Sequence, residues 1–129
     1  MHTWKFVIPG DPMTKKNHRP IYRAGGRPFI GKSQSLRDAE EFIYWRLIDQ
    51  KRKNGILSCI AIPVQITFLF YRKTHRRCDL SNLYELPQDA LVKSGVLQDD
   101  ALIESHDGSR KLYDRENPRT EIIITPFRV

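Results

Sequence analysis

Asp79-Leu80-Ser81-Asn82-Leu83-Tyr84-Glu85-Leu86-Pro87-Gln88-Asp89-Ala90-Leu91-Val92-Lys93-Ser94-Gly95-Val96-Leu97-Gln98-Asp99-Asp100 is the stretch that decides the fold. Leu83, Leu86, Ala90 and Leu91 recur at helical spacing, so Ser81 to Ser94 is read as a helix. Pro87 inside it calls for a kink or a start at that point. Gly95 closes it as a C-cap. Upstream, Ile60 to Tyr71 is rich in β-branched and aromatic residues, and Val64, Ile66, Phe68 and Phe70 share one face of a strand. Pro63 belongs near its start or on an edge. Downstream, Asp99 and Asp100 are placed at the start of the next strand. Ala101-Leu102-Ile103 and Arg110-Lys111-Leu112 frame a hairpin around Asp107-Gly108.

The rest of the chain fits around this unit. Thr3 to Ile8 alternates and stops at Pro9-Gly10, as a short strand does. Asp11 to Gln34 holds many prolines and glycines and little periodicity, which is a long loop with a hairpin at Gly25-Gly26. Ser35 to Lys53 is a helix: Ser35 serves as N-cap with Asp38 in a capping-box-like position, Lys51 to Lys53 complement the dipole, and Asn54-Gly55 stops it. Arg119 to Phe127 is a final strand. The expected architecture is a small single domain over 1–129, of α/β (α+β) class, with a mixed β-sheet and two main helices.

The formal net charge is +7 and the pI about 9.6, which favours a polyanionic partner such as nucleic acid. Apolar residues at 40% with plentiful Ile, Val, Leu and aromatics exclude a disordered chain. No apolar run reaches the ~20 residues of a membrane span, and no signal-peptide core is present. Cys59 and Cys78 fit neither zinc nor redox spacing and read as reduced thiols, so a cytoplasmic location is expected. His18, His75 and His106 lack the spacing of metal ligands.

A basic chain that gathers carboxylates at Asp79 and at Asp99-Asp100 invites a hard divalent cation held against a polyanion. Phosphodiester hydrolysis needs a deprotonated water, balanced charge and a stabilised leaving oxygen, and Mg²⁺ can serve all three. A strand–helix–strand path brings the two clusters together only where the strands lie side by side. On a regular strand Asp99 and Asp100 point to opposite faces, so a bulge re-aims one or one acts behind the other. Taken singly, Asp79 is an N-cap and Asp99-Asp100 an exposed turn. The flanking cations tip the reading towards a site. Lys15, Lys16, Arg19, Arg23, Arg27 and Lys32 populate the long loop, with Tyr22 and Phe29 among them to wedge or stack on bases. Arg76 and Arg77 lead directly into Asp79.

Asp79-Leu80-Ser81-Asn82, Asp89-Ala90-Leu91, Gly95 to Asp100 and Ile103, with the strand ending Ile8-Pro9-Gly10-Asp11-Pro12 before a basic loop, together resemble the RusA-type Holliday junction resolvases. The resemblance implies a homodimeric Mg²⁺-dependent endodeoxyribonuclease, with Mn²⁺ as a substitute, of a kind often carried by phages and prophages. Such enzymes cut four-way junctions by paired phosphodiester hydrolysis in DNA recombination and repair. It assigns Asp79, Asp99 and Asp100 as catalytic and metal-binding residues and Asn82 as a supporting one. The chain departs from the family pattern at Ser81, where a second aspartate is expected, and at Glu85, where some members have lysine. Asp107 or Glu85 is the expected replacement acid. The competing reading is a branched-DNA-binding protein whose catalytic site is weakened or inactive.

Overall fold

The computed structural model describes residues 2–15 and 21–128, with backbone alone for 21–24 and 27–30. In chain order the elements are β1 (Trp4–Pro9), β2 (Ile21–Ala24), β3 (Arg27–Ile30), α1 (Gln34–Lys53), β4 (Val64–Arg72), α2 (Leu80–Lys93), a one-turn 3₁₀ helix (Asp100–Leu102), β5 (Ile103–Ser105), β6 (Arg110–Tyr113) and β7 (Arg119–Pro126). The main sheet is mixed and runs β1-β7-β4, with β5 and then β6 beside β4. β1 and β4 both pair antiparallel with β7, whereas β5 and β6 run parallel to β4. β2 and β3 form the expected separate hairpin at Gly25-Gly26. No helix among the described residues is long and apolar enough to cross a membrane.

Period-two alternation sets the core. Val64, Ile66, Phe68 and Phe70 are buried on one face of β4, joined there by Phe6 and Ile8 of β1 and Ile122 and Ile124 of β7. Leu36, Ile43 and Leu47 of α1 and Leu83, Leu86, Ala90 and Leu91 of α2 close over that face. The result is a two-layer α/β domain, as the sequence predicts. At the outer edge, α1 covers the open ladder of β1. The Gln50 side-chain amide bonds both the N–H and the C=O of Val7, at 2.7 and 2.8 Å. Asn54 does the same for Lys5 at 3.4 and 3.0 Å. An edge strand so occupied has few groups left to template another chain.

Four expectations are corrected. α1 starts at Gln34, because Ser33 rather than Ser35 is the N-cap: its Oγ accepts from the Leu36 N–H at 3.1 Å. α2 runs unbroken from Leu80 through a buried Pro87, so it does not start there. Ile60 lies outside β4 and instead makes a parallel bridge to Leu97, donating to Val96 O at 2.8 Å and accepting from Gln98 N at 2.9 Å. No hairpin forms around Asp107-Gly108. Six residues of the outer edge, Ser105 to Arg110, span five of β4, Gln65 to Leu69, and the excess bulges out. Ser109 Oγ accepts the Phe68 N–H at 2.9 Å and Thr67 Oγ1 donates to Asp107 O at 2.8 Å. These side-chain bonds stand in for the ladder, so the chain continues along β4 instead of reversing.

Candidate active site

Asp79 occupies the N-cap position of α2 with extended backbone, φ −79° and ψ 133°, yet its side chain makes no capping bond. Aspartate at an N-cap ordinarily accepts from the helix backbone. Here, among the described residues, the exposed carboxylate meets only the Asn82 side-chain amide, at 3.5 Å, while the Asn82 N–H is taken by Asp79 O at 3.1 Å. Asp79 opens onto a concavity of about 540 Å³ whose walls include Arg72, His75, Arg76, Arg77, Lys111 and Tyr113. Two contacts fix its shape: Lys111 Nζ donates to Cys78 O at 2.7 Å, and the Arg72 guanidinium donates to Arg76 O at 2.5 Å. Arg76 and Arg77 are exposed and form no ion pair among the described residues.

Asp99 and Asp100 stand on a turn of 3₁₀ helix, not on a strand, so strand alternation does not separate them. Asp99 caps that turn, its Oδ1 accepting from the Ala101 N–H at 2.9 Å. That bond, helped by hydrogen bonding with the Asp100 carboxyl, holds the Asp99 carboxyl below its usual range. The two exposed carboxyls therefore converge on one place. The concavity beside them, about 370 Å³, also takes in Asp89, Lys93 and Gln98. The Ile60–Leu97 bridge anchors the Gly95-Val96 turn that leads to it.

The two acidic positions lie at opposite ends of α2, whose fourteen residues span about 20 Å. The sheet explains why. β5 runs parallel to β4, so Ile103, just past Asp100, sits level with Val64 at the start of β4. Asp79 follows the other end, where Lys111 and Leu112 sit level with Phe70 and Tyr71. A parallel crossover returns the chain to the edge it left. Strands side by side, the condition the sequence sets, thus hold Asp79 and Asp100 apart within one chain. Among the described residues no three histidine, cysteine, aspartate or glutamate side chains gather as a metal cage.

The model of the family "Endodeoxyribonuclease RusA" matches residues 9–125. The chain belongs to the RusA endodeoxyribonuclease family. It is 31% identical over 104 residues to crossover junction endodeoxyribonuclease RusA of Shigella sonnei (strain Ss046), covering 80% of this chain and 78% of the relative. The same protein of Escherichia coli (strain K12) matches with the same identity and coverage.

Within this RusA-family chain the remaining expected residues divide. Ser81 and Glu85 are exposed on α2 between the two acidic positions. Asp107 rides the edge bulge over Thr67, on the sheet face away from the helices, and does not approach Asp79. Lys16 and Arg19 lie outside the described residues, and for Arg23 and Arg27 on β2 and β3 only the backbone is described. Tyr22 and Phe29 are backbone partners in the same hairpin register. Lys32 points to Glu40 at 2.9 Å. Lys15, expected among the DNA contacts, is 5% exposed, ion-paired to Asp89 and 3.7 Å from Glu40. A lysine so enclosed ties the root of the loop to both helices. His106 meets Ile66 O and Gln88 and stacks on Phe68, as a hydrogen-bonding rather than a ligating histidine. Sequence reasoning missed Asp89 and Lys93 as neighbours of the acidic pair. Their ten- and six-residue distances from Asp99, across the end of the helix, look unremarkable in one dimension.

Proposed function

We propose that the protein is a Mg²⁺-dependent endodeoxyribonuclease that resolves four-way DNA junctions as a homodimer. The observation that carries the reading is the Asp79 carboxylate, placed at a helix cap, left out of capping, and turned to a basin of arginines and a lysine. The activity named for its RusA relatives supports it.

The donor set fits a hydrated hard cation. Asp99 and Asp100 offer two convergent, exposed carboxyls, and Mg²⁺ binds through one or two carboxylates while keeping waters. When bound, the ion supplies a lowered water pKa and charge balance at the phosphoryl oxygens. Because α2 separates Asp79 from Asp99 and Asp100 in one chain, each complete site combines Asp79 of one protomer with Asp99 and Asp100 of its partner. A two-fold axis crossing the middle of an antiparallel α2 pair makes two such sites at once. Asn82 orients Asp79 through its amide. Arg76 and Arg77 take the phosphates flanking the scissile one, and Lys93 adds a cation beside the acidic pair. Two equivalent sites match the approximate two-fold symmetry of a four-way junction and yield paired cuts.

A second reading, binding of branched DNA without cleavage, is favoured by Ser81, which leaves the first cluster with a hydroxyl where the family pattern has a carboxylate. Incubating the protein with an end-labelled synthetic four-way junction separates the two. Symmetric paired nicks that require Mg²⁺ are expected. Retarded but intact junction in Mg²⁺ establishes the second reading.

A further inference from the structure

The concavity beside Asp79 contains an aromatic feature that phosphate binding leaves unexplained. His75, in the loop after β4, stacks on Tyr113 at the end of β6, with ring centroids 4.1 Å apart and planes 25° from parallel. Tyr113 is 46% exposed, so the stack sits on the rim and not in the core. Strand and loop hold it from two directions: Tyr113 pairs with Arg72 in the sheet, and the Arg72 guanidinium grips the Arg76 carbonyl in the loop that carries His75. Its neighbours are Arg76 and Arg77, exposed and without carboxylate partners among the described residues. A pre-stacked pair of rings at the lip of a cationic basin is the chemistry that receives a nucleotide: cations for its phosphates, a ring face for its base.

A base inside a regular duplex has both faces covered and offers nothing to such a platform. A nucleotide at a branch point does, because the stack is interrupted there. We propose that the His75–Tyr113 pair is a stacking platform for a nucleobase displaced at the branch point, held next to the Asp79 end of the site by Arg76 and Arg77. The pair would then select where Asp79 acts: the strand whose base is seated there is the strand brought to the carboxylate. This rests on the DNA endonuclease reading above.

The test uses the full-length protein in EDTA, so that no strand is cut, and a synthetic four-way junction carrying 2-aminopurine at a single branch-point nucleotide. Titration gives the bound fraction and the fluorescence of the bound state together. Stacking on Tyr113 quenches the probe, so the saturated wild-type complex is expected to be dark. With Tyr113→Ala the saturated complex should be several-fold brighter and binding about five- to tenfold weaker. Tyr113→Phe, which keeps the ring, should match wild type. His75→Ala, in a loop outside the sheet, should brighten the complex in part and serves as the variant least exposed to folding defects. The inference is overturned if Tyr113→Ala and His75→Ala complexes are as dark as wild type at saturation. It is equally overturned if the probe behaves the same way when placed inside an unbranched duplex. A wild-type protein that leaves the junction unbound overturns the endonuclease reading itself, whereas binding with unchanged fluorescence in every variant sinks only the platform.

Discussion

Asp79 shows how one residue can be free of a structural role and so open to the chemical one proposed for it. Its backbone is that of an N-cap, but its side chain makes no capping bond to the backbone of α2. Replacing it with Ser should therefore leave the fold intact. A serine that does cap adds up to about 1 kcal/mol of stability. Cleavage of a four-way junction should fall below detection in the same variant, while junction retardation in EDTA persists. Thermal unfolding and the cleavage assay on one preparation check both halves. A large loss of stability would show that Asp79 works for the helix after all. Asp99 is the converse case, since its carboxylate already serves the Ala101 N–H. Asp99→Asn keeps an acceptor for that bond, so it should reduce Mg²⁺-dependent cleavage with little change in unfolding temperature.

At the scale of elements, the buried Lys15 joins the start of the basic loop to α1 through Glu40 and to α2 through Asp89. Removing its charge leaves two carboxylates without their shared partner. Lys15→Ala should cost about 2 kcal/mol in urea unfolding, and a double-mutant cycle with Asp89→Asn should show coupling. Burial acts to raise the Glu40 carboxyl, but the Lys32 hydrogen bond and the charges of Lys32, Lys93 and Lys15 outweigh it and hold it below the ordinary 4.5. A carboxyl depressed in the folded state binds fewer protons there than in the unfolded chain. Its contribution is complete above about pH 4.5 and is lost as pH falls through the folded value. Glu40→Gln should accordingly flatten the acid limb of stability below that pH, measured as the urea midpoint against pH. These elements also mark what was legible in one dimension. Alternation in β4 and the helical spacing of Leu83, Leu86, Ala90 and Leu91 announce the core, because a single chain segment sets each period. The route of 103–113 was not legible. A turn dipeptide at Asp107-Gly108 signals reversal, and only the side-chain bonds from Thr67 and Ser109 decide that the strand bulges and continues. The enclosure of Lys15 was not legible for a related reason: the carboxylates that enclose it lie on distant helices, at Glu40 and Asp89.

At the scale of the whole molecule, the parallel crossover from β4 through α2 to β5 governs the site. It keeps Asp79 and Asp100 at opposite ends of a helix about 20 Å long, so the acids that the sequence groups together are apart in one chain. The sequence names the acidic residues and leaves open which chain supplies each. Mixed dimers decide it. In the dimer proposed above, Asp79→Asn and Asp100→Asn homodimers should each be inactive, since every site in them lacks one carboxylate. When the two variants are mixed and allowed to exchange protomers, a composite arrangement gives a dimer in which one site holds both substitutions and the other holds none. That dimer should recover cleavage, but only on one strand at a time, so a labelled junction yields single nicks instead of paired ones. The recovered activity should reach about half of wild-type turnover per mixed dimer, because one of two equivalent sites is whole. If both acids acted within one protomer, each site of the mixed dimer would still lack one of them, and mixing would restore nothing.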